Sequence, residues 1–182
     1  DLDGQTFNGG DQDAFISKFN PNGTKEWTRL LGTSSDDRGY ALTTGSDGSI
    51  YITGITVGDL DGQINNAATD AFLSKYNPDG EREWTRLLGS FIVNNAQAIT
   101  TGSDGSIYVA GYTFGDEDNH SSRGYDVFIS KYNPNGTKEW TKLFGGSDYD
   151  SASSLVTASD GSIYIAGTTY SDIDDQINDG NG

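Results

Sequence analysis

The chain has 182 residues, of which 33% are hydrophobic, 12% are aromatic and 25 are glycine, a composition that favours short strands joined by tight turns. Its 27 acidic and 11 basic residues give a formal net charge of −16, which argues against nucleic acid and anionic membranes as partners because both would be repelled. The absence of cysteine excludes disulfides and thiolate metal sites, and no apolar run approaches the roughly 18 residues of a membrane span.

One unit of about 57 residues recurs three times along the chain. Trp27, Trp84 and Trp140 are separated by 57 and 56 residues, and other residues recur at the same spacing. A fixed period of this kind indicates a protein built from one repeated structural unit. The units are predicted at 1–58, 59–115 and 116–171, with the start of a truncated fourth unit at 172–182.

The first unit opens with an alternating strand and a tight turn. Residues 13–19, Asp-Ala-Phe-Ile-Ser-Lys-Phe, alternate large apolar with small or polar side chains, the pattern of a strand with one buried face. Asn-Pro-Asn-Gly at 20–23 predicts a reversal, because proline presets φ and glycine tolerates a positive φ after it. The strand predicted at 25–31 therefore pairs back as a hairpin.

A second hairpin completes the unit. Residues 40–44 and 50–56 read as strands on either side of a Ser-Asp-Gly-Ser turn at 46–49. The longest and most acidic connection follows at 59–70, and no segment shows helical periodicity with caps. The predicted fold class is all-β, with four antiparallel strands in each unit.

An Asp-x-Asp step opens the acidic connection in every copy and is the candidate metal site. Calcium takes about six to eight oxygen ligands, and Gln63, Asn65, backbone carbonyls and water could complete such a set. The competing interpretation is a solvated turn in which aspartate bonds its own backbone. The candidate calcium ligands are Asp1, Asp3, Asp59, Asp61, Asp116, Asp118, Asp172 and Asp174.

Other recurring aspartates and aromatic residues are expected to be structural. The Asp-Gly pairs that begin at Asp47, Asp104 and Asp160 are what a short hairpin turn requires. The tryptophans lie in alternating strands, so packing between units is favoured over a sugar-stacking surface. The single histidine, His120, belongs to a stretch found in one copy alone, and no catalytic constellation surrounds it. We therefore expect no enzymatic activity.

These motifs resemble the bacterial SBBP-type β-propeller repeat over essentially the whole chain. The resemblance is carried by Ser-Asp-Gly-Ser-Ile-Tyr, Asp-Ala-Phe-Ile-Ser-Lys, Asn-Pro-Asn-Gly and Glu-Trp-Thr-(Arg/Lys)-Leu. It implies four-stranded blades that belong to large secreted or surface proteins. From the innermost strand to the rim, the implied blade order is 40–44, 50–56, 70–76 and 83–88.

This order implies an incomplete ring. The chain would begin with the outer two strands of one blade, contain two whole blades and end with the inner two strands of another. Propellers close with about four to eight blades, so further repeats must come from a longer polypeptide or from a second chain that closes a six-bladed ring. Methionine is absent, and we expect the chain to be a piece of a longer polypeptide. A self-closing β-trefoil or β-prism is the second interpretation.

Two functions from different classes follow from these expectations. The first is a non-enzymatic structural or adhesive module of a secreted or cell-surface bacterial protein, stabilised by calcium. The second is a multivalent lectin-like protein with one glycan site in each repeat, where weak sites gain through avidity. Buried tryptophans favour the first function, and exposed aromatic residues that recur in one loop favour the second.

Overall fold

The computed structural model describes residues 3–89, 93–114, 124–173 and 176–178. These residues form twelve strands, all paired antiparallel, in four sheets, which confirms the predicted all-β class. None of the described residues forms a helix long and apolar enough to cross a membrane. The strands are β1 (Ala14–Phe19), β2 (Lys25–Leu31), β3 (Asp37–Thr44), β4 (Ile50–Thr56), β5 (Asp70–Tyr76), β6 (Arg82–Leu87), β7 (Val93–Thr101), β8 (Ile107–Phe114), β9 (Asp126–Tyr132), β10 (Lys138–Phe144), β11 (Asp150–Thr157) and β12 (Ile163–Thr169).

The sheets do not coincide with the sequence repeats. Strands β3 to β6 form the first full sheet and β7 to β10 form the second, each with its strands in chain order. The chain also contains a first hairpin, β1 with β2, and a last hairpin, β11 with β12. Each full sheet therefore takes its first two strands from one repeat and its last two from the next, as the strand order inferred from the motifs predicts.

Glycine and proline produce the turns between neighbouring strands. Gly23 and Gly48 have φ values of 85° and 81°, a region that side chains with a Cβ seldom adopt. A bulge in β3, between Gly39 and Ala41, also requires a glycine on β4, because a Cβ at Gly54 would overlap the carbonyl of Arg38. The same bulge recurs in β7 and β11, so the three inner hairpins share one geometry.

The core consists of layers between successive sheets. One cluster joins Leu73 of the first full sheet to Ile107 and Val109 of the second. A second cluster joins the first hairpin to the first full sheet through Ile16 and Phe72. A third cluster joins the second full sheet to the last hairpin. The four sheets are therefore stacked face to face in chain order, and this stacking buries the limited apolar content of the chain.

The first strand of each inner hairpin lies beside its counterparts. Strand β7 contacts both β3 and β11. The hydroxyl of Thr101 donates a hydrogen bond to the carbonyl of Thr44 at 3.0 Å, and Thr157 donates to Thr101 at 2.8 Å. A repeated hydrogen bond thus connects the ends of the three innermost strands.

Candidate functional site

The described carboxylates of the acidic connection at 59–70 have protein partners. Asp59 accepts a hydrogen bond from the backbone N–H of Asn65 at 2.9 Å, which closes the loop. Asp61 has a φ of 54° and forms an ion pair with Arg82 at 2.7 Å. The two side chains therefore stabilise the loop and bind it to β6.

The other copies of this connection show the same arrangement where they are described. Asp3 also has a φ of 54° and forms an ion pair with Lys25 at 2.5 Å. Hydrogen bonds from Lys25 and Thr28 lower the pKa of Asp3 below the ordinary carboxyl value. Asp172 accepts a hydrogen bond from the backbone N–H of Asn178 at 2.8 Å. Of the remaining predicted site residues, those outside the described ranges are Asp1, Asp116, Asp118, Asp174 and His120.

A metal site would therefore have to recruit carboxylates that already bind the protein. Within the described ranges, no three acidic, histidine or cysteine side chains are grouped so that they could hold a metal ion. Asp61 would have to leave Arg82, and Asp3 would have to leave Lys25. Calcium binding at these loops stays a prediction.

The aspartates of the short hairpin turns have the structural role predicted for them. Asp47 accepts hydrogen bonds from the N–H and hydroxyl of Ser49 at 2.9 and 2.8 Å. Asp104 makes the same two contacts with Ser106. These hydrogen bonds, led by the one from the backbone N–H, lower the pKa of both aspartates. The carboxylates therefore fix the turns.

A buried polar position at the start of each inner strand was not predicted from the sequence. Asp37 and Asp150 are fully buried at the first residues of β3 and β11, and Asn94 occupies the equivalent position in β7. Asp37 accepts hydrogen bonds from the N–H and hydroxyl of Thr33 at 2.6 and 2.9 Å. The signal in the sequence was an aspartate at position 37 and another 113 residues later, at position 150. The equivalent position of the middle copy holds an asparagine.

A second aspartate, contributed by the preceding outer hairpin, lies close to each of these positions. Burial raises the pKa of Asp37 above its ordinary value, and the charge of Asp13 acts in the same direction, against hydrogen bonds from Thr56 and Thr33. In the middle copy, burial likewise raises the pKa of Asp70, but hydrogen bonds from the backbone of Asn66 and the side chain of Asn94 oppose the rise. The middle copy thus replaces a pair of acids with an acid and an amide.

The tryptophans contact the neighbouring sheet. The Arg29 guanidinium lies 5.3 Å from the Trp27 ring and donates from Nε to the carbonyl of Gly80 at 2.9 Å. A Cβ at Gly80 would lie 3.0 Å from the Trp27 ring, so the ring covers the turn at 77–80. We call this contact the Trp-Arg clasp: a tryptophan and an arginine from the last strand of one sheet, with the Asn-Pro-x-Gly turn of the next sheet.

The clasp recurs at the next junction. The Arg86 guanidinium lies 5.2 Å from the Trp84 ring, and its Nε donates to the carbonyl of Gly136 at 3.3 Å. A Cβ at Gly136 would lie 3.2 Å from the Trp84 ring. These contacts confirm that the tryptophans pack between repeats. The part that arginine plays was missed, because sequence spacing does not show which sheet its side chain reaches.

An aromatic cluster lies between the second full sheet and the last hairpin. The Tyr149 ring centroid lies 5.5 Å from that of Tyr112, 5.2 Å from that of Tyr125 and 5.8 Å from that of Tyr170. None of the equivalent positions in the first repeat holds a tyrosine. A survey limited to recurring residues therefore misses this cluster.

Comparison with known proteins agrees with the repeat architecture. Residues 139–174 match the family described as "SBBP: Beta-propeller repeat". The Caulobacter vibrioides protein named "Regulatory protein FlaEY" is 31% identical over 161 residues, which cover 79% of this chain and 16% of that protein. The Acanthamoeba polyphaga mimivirus protein named "Uncharacterized WD repeat-containing protein L264" is 22% identical over 165 residues, which cover 75% of this chain and 12% of that protein.

The chain thus spans less than a fifth of the length of these two relatives. The matched segment runs from β10 through the last hairpin into the acidic connection. It contains the Glu-Trp-Thr strand and the Ser-Asp-Gly-Ser-Ile-Tyr hairpin that carry the resemblance in sequence. Residues 139–174 thus match the SBBP β-propeller repeat family, the family that the motifs resemble.

Proposed function

We propose that this chain is a non-enzymatic run of propeller blades that serves as a structural and interaction module within a longer protein. The observation that carries the proposal is the Trp-Arg clasp, which joins successive sheets in the same way at two junctions. Identical junctions let repeats be added without changing the geometry, as in other repeat proteins.

Sheet stacking supports blades over a β-trefoil or β-prism. Both full sheets have four antiparallel strands in chain order, and β3, β7 and β11 lie side by side as the innermost strands of blades would. A two-stranded outer hairpin precedes the two full sheets, and a two-stranded inner hairpin follows them.

Support for a non-enzymatic role comes from the way in which the acidic side chains are used. Asp47 and Asp104 fix turns, Asp59 closes a loop, and Asp61 binds Arg82. Each of these contacts would have to break before its carboxylate could act in catalysis. The relative named as a regulatory protein is in keeping with a role in interaction.

A panel of chromogenic substrates for esterases, phosphatases, glycosidases and peptidases tests this part of the proposal. We expect no turnover above that of the heat-unfolded chain, at pH values from 5 to 9. Turnover that survives repurification and disappears on substitution of one buried carboxylate, such as Asp150→Asn, would contradict it. Asp79→Asn, which removes an exposed charge, is the matched control.

We place the parent protein outside the cell or on its surface, and we retain calcium at the acidic connections as part of the proposal. The support is the family resemblance and the net charge of −16, which attracts cations. Protease treatment of intact cells, followed by blotting with an antibody against this chain, tests the location. Loss of the signal from intact cells is expected, and protection until lysis would contradict it.

A lectin-like function is the alternative, and one observation favours a particular place for it. The tyrosine cluster around Tyr149 ends in Tyr170, which is largely exposed and could stack on a sugar ring. Glycan-array binding that Tyr170→Ala abolishes would support this alternative. Tyr40→Ala, at another exposed tyrosine, is the control.

A further inference from the structure

We propose that the aromatic cluster beside the last hairpin binds an arginine-bearing peptide segment of a partner protein. Its members are Tyr112, Phe114, Tyr125, Tyr149 and Tyr170, and we call this group the aromatic patch. The proposal rests on the interaction module proposed above and names the chemistry of its partner. It differs from the lectin-like alternative, which would place a sugar on the same rings.

The aromatic patch departs from the repeat at several positions that lie together in space. Strand register identifies the equivalent positions, because Thr56 pairs with Asp70 in the first full sheet as Thr113 pairs with Asp126 in the second. At the junction between the two full sheets, the five equivalent residues are Ile55, Val57, Thr69, Val93 and Phe114. Four of these five residues are aliphatic or threonine, so the stacking of successive sheets does not require aromatic rings there.

The rings of the patch hold one another in place. The Tyr125 centroid lies 5.2 Å from that of Tyr112 and 5.2 Å from that of Tyr149. The ring planes meet at 89° between Tyr112 and Tyr125 and at 79° between Tyr149 and Tyr170, the edge-to-face geometry that aromatic pairs favour. The Tyr112 hydroxyl also accepts a hydrogen bond from Asn95 at 3.0 Å. Such rings lose little conformational freedom when they bind a ligand.

The patch faces solvent at a position that stays open in a complete sheet. Tyr170, directly after β12, is 68% exposed. Val57 occupies the same position after β4, in a sheet that is packed on both sides, and is still 44% exposed. Tyr125 and Tyr149 are half-buried. Grouped aromatic side chains on an open surface are typical of an interaction site.

Three loops bring the patch together with aspartates. A Cβ at Gly124, next to Tyr125, would lie 2.1 Å from the carbonyl oxygen of Asp148. A Cβ at Gly146 would lie 2.3 Å from the carbonyl oxygen of Asp172. The segments that carry Tyr125, Tyr149 and Tyr170 therefore converge, and each of them contains at least one aspartate.

The charge around the patch is negative. Asp148 and Asp172 are exposed. The aspartates within two residues of a patch tyrosine are Asp126, Asp148, Asp150 and Asp172. The described segments that form the patch, 112–114, 124–126, 145–150 and 170–172, contain no lysine or arginine. A cationic ligand is therefore the electrostatic complement of this surface.

A guanidinium combines the two contacts that the patch offers. It stacks on the face of an aromatic ring and donates hydrogen bonds in a planar fork to a carboxylate. The chain already uses the first contact internally, because the guanidinium groups of Arg29 and Arg86 lie 5.3 and 5.2 Å from tryptophan rings. Tyrosine and arginine are also the residues that contribute most at protein interfaces. A neutral sugar would use the rings but not the negative field.

A labelled peptide of alternating glycine and arginine is the probe that tests the proposal. Its binding is followed by fluorescence polarisation in the presence of a chelator, so that calcium cannot occupy Asp172. We expect saturable binding. The same peptide with citrulline in place of arginine keeps the shape and loses the charge, and it should bind about tenfold more weakly.

Two substitutions remove rings without changing the charge of the chain. Tyr125→Thr and Tyr149→Val introduce the side chains that the preceding junction holds at the equivalent positions, Thr69 and Val93, so the fold should be kept. Each substitution should weaken binding of the arginine peptide about two- to fivefold. Because the net charge stays at −16, general attraction of a cationic peptide cannot explain such a loss.

Tyr164→Ala is the matched control for these substitutions. Tyr164 is 60% exposed on the same last hairpin. It lies six residues before Tyr170, which is about 20 Å along a strand. This variant should bind the arginine peptide as the unchanged chain does.

Two results would overturn the proposal. Equal binding of the arginine peptide by the unchanged chain and by the double variant Tyr125→Thr with Tyr149→Val would assign the binding to overall charge. Patch-dependent binding of a neutral oligosaccharide, without binding of the peptide, would replace the proposal with the lectin-like alternative.

Circular dichroism and the substrate panel, applied to the same samples, separate failure of this proposal from failure of the proposed function. Cooperative unfolding of a β-rich chain, without turnover and without patch-dependent peptide binding, would overturn the arginine-bearing partner and leave the blade module standing. Turnover that Asp150→Asn abolishes would overturn the proposed function.

Discussion

Arg29 donates a hydrogen bond from its Nε to the carbonyl of Gly80, 51 residues further along the chain and in the next sheet. The Trp27 ring lies 5.3 Å from the guanidinium and covers the same turn. One tryptophan and one arginine thus join two sheets whose main chains are not hydrogen-bonded in a common sheet. Stability of the stack should therefore depend on these side chains.

Replacing Trp84 should destabilise the stack at an internal junction. Trp84→Ala removes the ring that covers the turn at 133–136, and we expect the free energy of unfolding to fall by about 2 to 4 kcal/mol. Urea denaturation followed by circular dichroism measures the change.

Trp140→Ala is the matched control for Trp84→Ala. Among the described residues no Asn-Pro-x-Gly turn follows Trp140, so its loss should cost clearly less. Equal costs for the two substitutions would show that the tryptophans act within their own sheets.

The clasp should distinguish arginine from lysine. Arg86→Lys keeps the charge but removes the planar fork that bonds the carbonyls of Gly136 and Asn135, so we expect a loss of about 1 kcal/mol. Chemical denaturation measures it. The third copy has Lys142 at the equivalent position, and Lys142→Arg is expected to change stability little. If Arg86→Lys left the stability unchanged, the positive charge alone would be enough to hold the turn.

The buried acidic positions predict a dependence of stability on pH. Burial raises the pKa of Asp37, so the folded protein holds this proton more tightly than the unfolded chain. The contribution of Asp37 to stability therefore declines as the pH rises from the ordinary carboxyl value through the raised value in the folded state. Asp37→Asn should remove this decline and raise the melting temperature at pH 7.

Asn94→Asp should have the opposite effect, because it creates at the middle copy the acid pair found at the first. We expect a lower melting temperature at pH 7 and partial recovery towards pH 5. Asp79→Asn controls for the loss of one exposed charge. Parallel melting curves of Asp37→Asn and the control across this range would contradict the explanation.

Calcium binding at the acidic connections can be tested by melting temperature with calcium and with a chelator. We expect calcium to stabilise the chain and Asp59→Asn with Asp61→Asn to abolish the shift, because these carboxylates are the proposed ligands. Asp79→Asn should retain the shift. The absence of a shift in the unchanged chain would mean that Arg82 keeps Asp61 and that the loops are structural without metal.

The sequence motifs predict the strands well because they encode local geometry. Asn-Pro-x-Gly and Ser-Asp-Gly-Ser require particular φ values, and three copies repeat them, so the strands at 25–31, 50–56 and 70–76 have the predicted bounds. The strand expected at 40–44 begins earlier, at Asp37, because the bulge lets pairing continue through Gly39.

Contacts between sheets were harder to predict. The reach of Arg29 to Gly80 and the closeness of Asp13 to Asp37 depend on how sheets stack, and neither appears as a spacing in the sequence. Asn94 also hides the buried position from a comparison of the repeats. An asparagine where the other two copies have aspartate reads as a loss of the pattern, although the two side chains have the same shape. The tyrosine cluster does not recur, so the comparison of repeats that reveals the strands conceals it.

The most direct test is hydrogen exchange at the amides of β9 and β10, measured in the unchanged chain and in the Trp84→Ala variant. Because Trp84 covers the turn that connects these two strands, the stacked arrangement predicts that both strands exchange faster in the variant, while β1 and β2 keep their rates. Equal exchange rates of β9 and β10 in the two proteins would contradict the claim that the clasp joins successive sheets.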